Sequence, residues 1–211
     1  ELKDATIENL VIDSSCSFTG YLSGGLSPIL SGSLDVINVV NKADVKGKEC
    51  AGGFIAWMKE DETKVVSVNF SSCSNNATVT SEENSAAGFI GDIKSNDNVV
   101  MTFVGCDNHG TVNGKDNSSG FIGRISDNHH MTLTISNCNN NNIISGDNMT
   151  GGFAGLIWNT TEATITIESC KNYGLVNGSG RKVGGFVGSF FNNTDTTMTI
   201  RNSENQGHIQ G

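Results

Sequence analysis

Basic residues are scarce in this chain: Lys and Arg number 13 against 22 Asp and Glu, giving a net charge of -9. With no basic excess to neutralise phosphates, the balance argues against a nucleic-acid or anionic-membrane binder. Long apolar runs are missing as well. None approaches the roughly 20 residues that a bilayer span needs, so no membrane span is expected. The first residues, Glu1-Leu2-Lys3-Asp4, carry no charged-then-apolar leader, and the expectation is a mature chain or a fragment. Hydrophobic residues make up only 36% and aromatics 7%, little for a compact globule, and the single proline is Pro28. No CxxC pair or close Cys/His set occurs, and none of His109, His129, His130 and His208 belongs to a nucleophilic Ser or Cys motif. No metal or other cofactor is expected.

Glycine, by contrast, is abundant, with 26 copies, and its placement is periodic. A Gly-Phe motif places Phe54, Phe89, Phe121, Phe153 and Phe186 at spacings of 35, 32, 32 and 33, and Gly24-Gly25-Leu26 is a degenerate earlier copy. Cys73, Cys106, Cys138 and Cys170 run in step at spacings of 33, 32 and 32, with Val39 and Ser203 in the flanking slots. Six positions after each slot stands an aliphatic residue (Val45, Val79, Val112, Ile144, Val176, Ile209). Four positions after it stands Ala43, Ala77, Gly110, Asn142, Gly174 or Gly207, the residue types of a tight corner in left-handed conformation.

Alternation of Thr132/Thr134, Thr164/Thr166 and Thr197/Thr199 with Leu133/Ile135, Ile165/Ile167 and Met198/Ile200 marks strands. Each repeat then reads as a strand on the Gly-Phe motif, a variable polar loop, a strand ending at the cysteine, a corner, and a short strand. Nothing in the unit looks helical. A unit of about 32 residues cannot bury its own apolar face, so copies must stack in register at ~4.8 Å per coil. The fold class expected is all-β, a right-handed parallel β-helix (β-solenoid) of about six coils, roughly 30 Å long. Residues 1–23 are expected to form a degenerate first coil or cap, and residues 24–211 a single domain of solenoid repeats. Phe and Cys form inward ladders, and the glycine two after each Phe leaves room for its ring.

The pattern Cys-x-Asn-x-Gly-x-Val-x-Gly followed by Val-Gly-Gly-Phe-Val-Gly, clearest from Cys170 to Gly188, resembles the GLUG repeat, with Phe where that repeat usually has Leu. The resemblance covers residues 24–211 in degenerate form. It implies a relationship to surface proteins of bacteria and protists, including adhesins and polymorphic-membrane-protein-like chains. A cell-surface stalk or adhesive rod, with no catalytic residues, is what the resemblance implies.

Four of the six cysteines sit on one ladder, where Cα separations suit a disulfide but parallel Cβ vectors do not, so buried free thiols are expected there. A disulfide involving Cys16 or Cys50 would fit a secreted protein. Acidic residues gather in the loops after the Gly-Phe strands (Glu60-Asp61-Glu62, Asp97, Asp127, Glu162, Asp195), where they form one strip, either a solvated edge or a calcium or ligand site. Candidate binding residues are Trp57, which should point outward if Phe54 points inward, with Trp158 and Phe191 on the loop edge and Tyr173 in a corner. Sequons at Asn69, Asn76, Asn117, Asn148, Asn159, Asn177 and Asn192 favour secretion.

The function expected is a non-enzymatic extracellular adhesin or stalk segment that contacts glycans or proteins of host or neighbouring cells. The alternative is a structural module that self-associates end to end, because an open coil end exposes strand edges. A carbohydrate-active enzyme on the same fold and an ice-binding solenoid, the latter from the Thr-x-Thr grid, are weaker readings.

Overall fold

A computed structural model describes residues 1–59 and 65–211. The chain winds into a parallel β-solenoid of about six turns, with no helix among the described residues. Four parallel sheets run its length. One of seven strands, from Ala5–Glu8 to Thr197–Arg201, carries the Thr-x-Thr segments, and a second of seven contains two-residue strands from Val11–Ile12 to Glu204–Asn205. Six strands follow the Gly-Phe motif, from Ser27–Leu30 to Val187–Phe191, and an 11-stranded sheet takes the remainder. Residues 1–23 enter the same sheets: Val11 and Ile12 pair with Val40 and Asn41, and Ser17–Gly24 pairs with Asp44–Gly52 across an irregularity between Gly20 and Leu22.

The Phe ladder fills the main core. Phe54, Phe89, Phe121, Phe153 and Phe186 stack at successive centroid distances of 5.0, 4.8, 4.9 and 5.2 Å. Phe70 and Phe103 stack at 5.1 Å on the opposite wall, with their edges against the first ladder. Stacked and edge-to-face contacts add about 0.5–1.5 kcal/mol per pair to the burial of the rings. The Cys ladder belongs to this core, whereas Val45, Val79, Val112 and Ile144 form a second, smaller cluster with Ala51 and Ala86.

Between the Cys slot and the corner lies a ladder of amides. Asn75 donates from Nδ2 to Asn108 Oδ1 at 2.9 Å, Asn108 to Asn140 at 2.9 Å, Asn140 to Asn172 at 2.7 Å and Asn172 to Asn205 at 2.7 Å. Each of these donors also reaches the carbonyl two residues on, as Asn108 does to Gly110 O at 2.9 Å. Asn41, Asn75, Asn108, Asn140 and Asn172 are fully buried, so satisfying these groups is obligatory.

Several local expectations are corrected. Phe89 and its equivalents lie at a bend between two strands, Ser85–Ala87 and Ile90–Lys94, rather than on a strand. The Thr-rich strand stops two residues before the cysteine, as Val99–Val104 does before Cys106. The residue between them takes the left-handed conformation: Ser72, Gly105, Asn137, Ser169 and Asn202 have φ of 52, 60, 53, 53 and 51°. Gly110 and Gly174 do not; a Cβ there would lie 1.9 Å from Ala77 O and 2.0 Å from Asn142 O of the preceding coil. The glycine two after Phe is likewise set by backbone: a Cβ on Gly123 would lie 2.5 Å from Gly91 O. The glycine before Phe makes room for backbone and amide together, since a Cβ on Gly120 would lie 2.5 Å from Gly152 O and 2.7 Å from Asn140 Oδ1.

Removing Asn108 from mid-ladder takes one hydrogen bond each from Asn75 Nδ2, Asn140 Oδ1 and Gly110 O, all in the buried interior. Asn108→Ala is expected to cost about 3 kcal/mol, and Asn205→Ala, at an exposed rung, under about 1 kcal/mol. Urea denaturation of the two variants checks this; equal losses would show that the ladder is dispensable.

Candidate functional site

The third residue after each Phe forms a ladder on the outer face of the Gly-Phe sheet. Pairing aligns Ile29, Trp57, Asp92, Arg124, Leu156 and Ser189. At Asp92 and Arg124 this ladder carries an ion pair. Arg124 Nε donates to Asp92 Oδ1 at 2.9 Å and Nη2 to Asp92 Oδ2, a two-pronged contact. Asp92 is only 5% exposed. Burial pushes its carboxyl above the ordinary value, only partly offset by the Arg124 hydrogen bond and charge. For Arg124, burial opposes the charge, and the Asp92 carboxylate more than compensates, leaving the guanidinium above its usual value.

These residues share a recess of about 110 Å3 with Leu22, Glu49, Cys50, Trp57 and Lys94. Two long strands, Ser17–Gly24 and Asp44–Gly52, contribute Leu22, Glu49 and Cys50 to its lining beside the Gly-Phe sheet. Trp57 is therefore partly buried in a wall, not presented to solvent as the alternation alone implied. Its Nε1 is buried and has no hydrogen-bond partner among the described residues. Tyr21, on the exposed side, hydrogen-bonds Glu49, and the carboxylate holds its phenol above the ordinary value.

The other candidate aromatics do not converge on this place. Trp158 and Phe191 are register partners, with ring centroids 6.4 Å apart, and Lys182 Nζ lies 4.0 Å from the Phe191 ring centre. Tyr173 follows Lys171–Asn172 in a different sheet, exposed, with Lys171 Nζ 5.9 Å from its ring centre.

The loops after the Gly-Phe strands align as expected, through bridges from Asp97 to His129, His129 to Thr161, and Thr161 to Thr194. Their acidic residues do not form a bare strip. Asp127 Oδ1 accepts from Asn159 Nδ2 at 2.7 Å, while Asp97 and Glu162 both face His130, at 2.7 Å from Nδ1 and 3.1 Å from Nε2. Only the imidazolium donates from both nitrogens, and its pKa is raised, first by the Asp97 hydrogen bond. Asp97 in turn is held below the usual carboxylate value by His130. Beneath them Asn96 and Asn128 are buried, and Asn128 Nδ2 donates to Ser126 O at 2.9 Å. Among the described residues no group of three or more His, Cys, Asp or Glu is placed to hold a metal ion. Glu60-Asp61-Glu62 lies outside the described residues.

All six cysteines are free thiols. Cys16 is exposed, and Cys50, Cys73, Cys106, Cys138 and Cys170 are buried. No disulfide therefore involves Cys16 or Cys50, and burial pushes the Cys50 thiol well above its ordinary pKa. The Thr-x-Thr pairs at 132/134, 164/166 and 197/199 lie in register, but upstream the grid gives way to Thr102, Asn69 and Asp35. Of the sequon asparagines, Asn76, Asn159 and Asn192 are exposed, and Asn69, Asn148 and Asn177 half-buried. Asn117 is buried, with Nδ2 3.4 Å from Ser85 Oγ, so a glycan there is incompatible with the folded coil.

Sequence reasoning missed Asp92, Arg124, Glu49 and Lys94 and the His130 array. A signal for the ion pair was present: opposite charges stand 32 residues apart at a phase where the neighbouring repeats carry Trp57 and Leu156. Comparison with protein-family models, with curated proteins and with solved structures finds no match for this chain.

Because the His130 pKa is raised on folding, its contribution to stability is complete below about pH 6.5 and disappears as pH rises through the folded-state value. Native chain is expected to lose stability relative to His130→Gln as pH rises above about 6.5, measured by thermal melts. Parallel curves for the two proteins would contradict it. Thiol labelling of the folded protein should modify Cys16 rapidly and the other five cysteines only on unfolding; rapid labelling of more than one would show an open core.

Proposed function

We propose that this chain is a segment of an extracellular, cell-surface adhesin or stalk of the GLUG-repeat kind, without enzymatic activity. It acts by holding weak contact sites along a stiff support. The observation that carries this reading is the coil-on-coil pairing of four parallel sheets, which fixes outer residues of successive coils at regular intervals. Sites of that kind gain strength by simultaneous engagement rather than through one deep pocket. The aromatic pair Trp158–Phe191, with Phe191 exposed and Trp158 half-buried, and the solvent-facing sequons Asn76, Asn159 and Asn192 support a surface that meets glycans or proteins of other cells.

The test is binding of the chain, displayed in many copies on beads, to host or neighbouring cells and to glycan arrays. Attachment that weakens by about tenfold or more in the Trp158→Ala, Phe191→Ala double variant is the expected result. Absence of attachment by the parent, with sedimentation showing long end-to-end oligomers, would replace this reading by self-assembly. Turnover of a polysaccharide would overturn the non-enzymatic assignment.

A further inference from the structure

The recess at Trp57, Asp92 and Arg124 is the place where the solenoid stops repeating itself. Its charged pair is not required by the fold, because Leu156 and Ser189 occupy the same register positions two coils on without one. Buried ion pairs generally stabilise no better than apolar residues of similar volume, so keeping one here calls for another use. From these features we infer that the recess binds the terminal sugar of a glycan, a single neutral pyranose. The inference rests on the adhesin reading and names the ligand class for one site on it.

Size and chemistry both bear on the choice. A volume of about 110 Å3 is smaller than a whole hexose, so one terminal ring enters in part and the rest of a glycan stays outside the mouth. Trp57 supplies an aromatic wall for the C–H face of a pyranose. Arg124 keeps Nη1 free after both oxygens of Asp92 are engaged by Nε and Nη2, and Lys94 adds an ammonium. Glu49 faces them as an acceptor, so vicinal hydroxyls are met by a donor on one side and a carboxylate on the other. Two carboxylates, Asp92 and Glu49, balance two cations, Arg124 and Lys94, which favours an uncharged ligand over a uronate or a sialic acid.

The chain has two tryptophans, so the two indole N–H signals of a 15N-labelled sample report separately on the recess and on Trp158, assigned by the loss of one in Trp57→Phe. Titration with the methyl glycosides of glucose, galactose, mannose and N-acetylglucosamine should move the Trp57 signal saturably for at least one of them, with Kd of about 1–10 mM. Glu49→Gln and the recess-filling Leu22→Trp, neither of which strips Asp92 of its partner, should each weaken that Kd by about tenfold or more. No shift with any of the four up to about 100 mM, or equal shifts in both variants, would overturn the site. Tighter binding of methyl glucuronide or a methyl sialoside than of the neutral sugars would overturn the ligand assignment. Attachment of beads to cells that persists in Leu22→Trp removes the recess and leaves the adhesin reading standing; sugar binding without cell attachment does the reverse.

Discussion

A primary amide buried in a protein interior must find partners for both its oxygen and its nitrogen, and the ladder from Asn41 to Asn205 meets that demand only when every coil sits directly on the next. Sliding one coil by a residue would set Asn108 opposite Asn139 or Asn141 in place of Asn140, turn the ladder side chain to the other face and strand its neighbours. The constraint extends outward from there. Glycine precedes each phenylalanine of the motif because the glycine carbonyl of the next coil and the amide beside it leave no room for a Cβ, which at Gly120 would lie 2.5 Å from Gly152 O and 2.7 Å from Asn140 Oδ1. With the backbone of the bend held against the ladder, the rings behind it have one stacking distance available, near 5 Å.

An interior specified in this way frees the exterior. On the Thr-rich sheet the outward side chains change from Asp35 and Asn69 through Thr102 to a run of threonines without disturbing the strands beneath. On the Gly-Phe sheet the variation goes further, to a desolvated carboxylate held by a guanidinium. That pair is tolerated because Trp57, Leu22, Glu49 and Cys50 line the recess around it, and because both oxygens of Asp92 are occupied.

How much of this the sequence discloses depends on the kind of information involved. Periodic apolar residues announce themselves, so the stacking of Phe89 on Phe121 and the burial of Cys106 follow from spacing alone. Asn108 recurs just as regularly, yet an asparagine in an Asn-rich chain reads as a turn residue, and its buried role emerges only when the coil closes. Glycines were harder to interpret, since the same absence of a Cβ serves the left-handed turn at Gly105 and the close backbone approach at Gly123. Alternation puts Trp57 on the outer side of its sheet, but the residues that share its recess include Leu22 and Arg124, distant along the chain. His130 meets Asp97 and Glu162 from neighbouring coils, about one repeat away in each direction, which no local motif could reveal.

The hydrogen bonds that join the coils run along the axis of the rod, the amide ladder among them. A pull applied along that axis therefore loads the inter-coil interfaces in series, and every interface carries the whole force. Yielding begins at whichever coil is least well held, and coils then come away one at a time, each releasing about 32 residues of contour. Such a rod lengthens in steps under tension, dissipating work at each, where a sheet sheared along its strands would hold until it failed all at once.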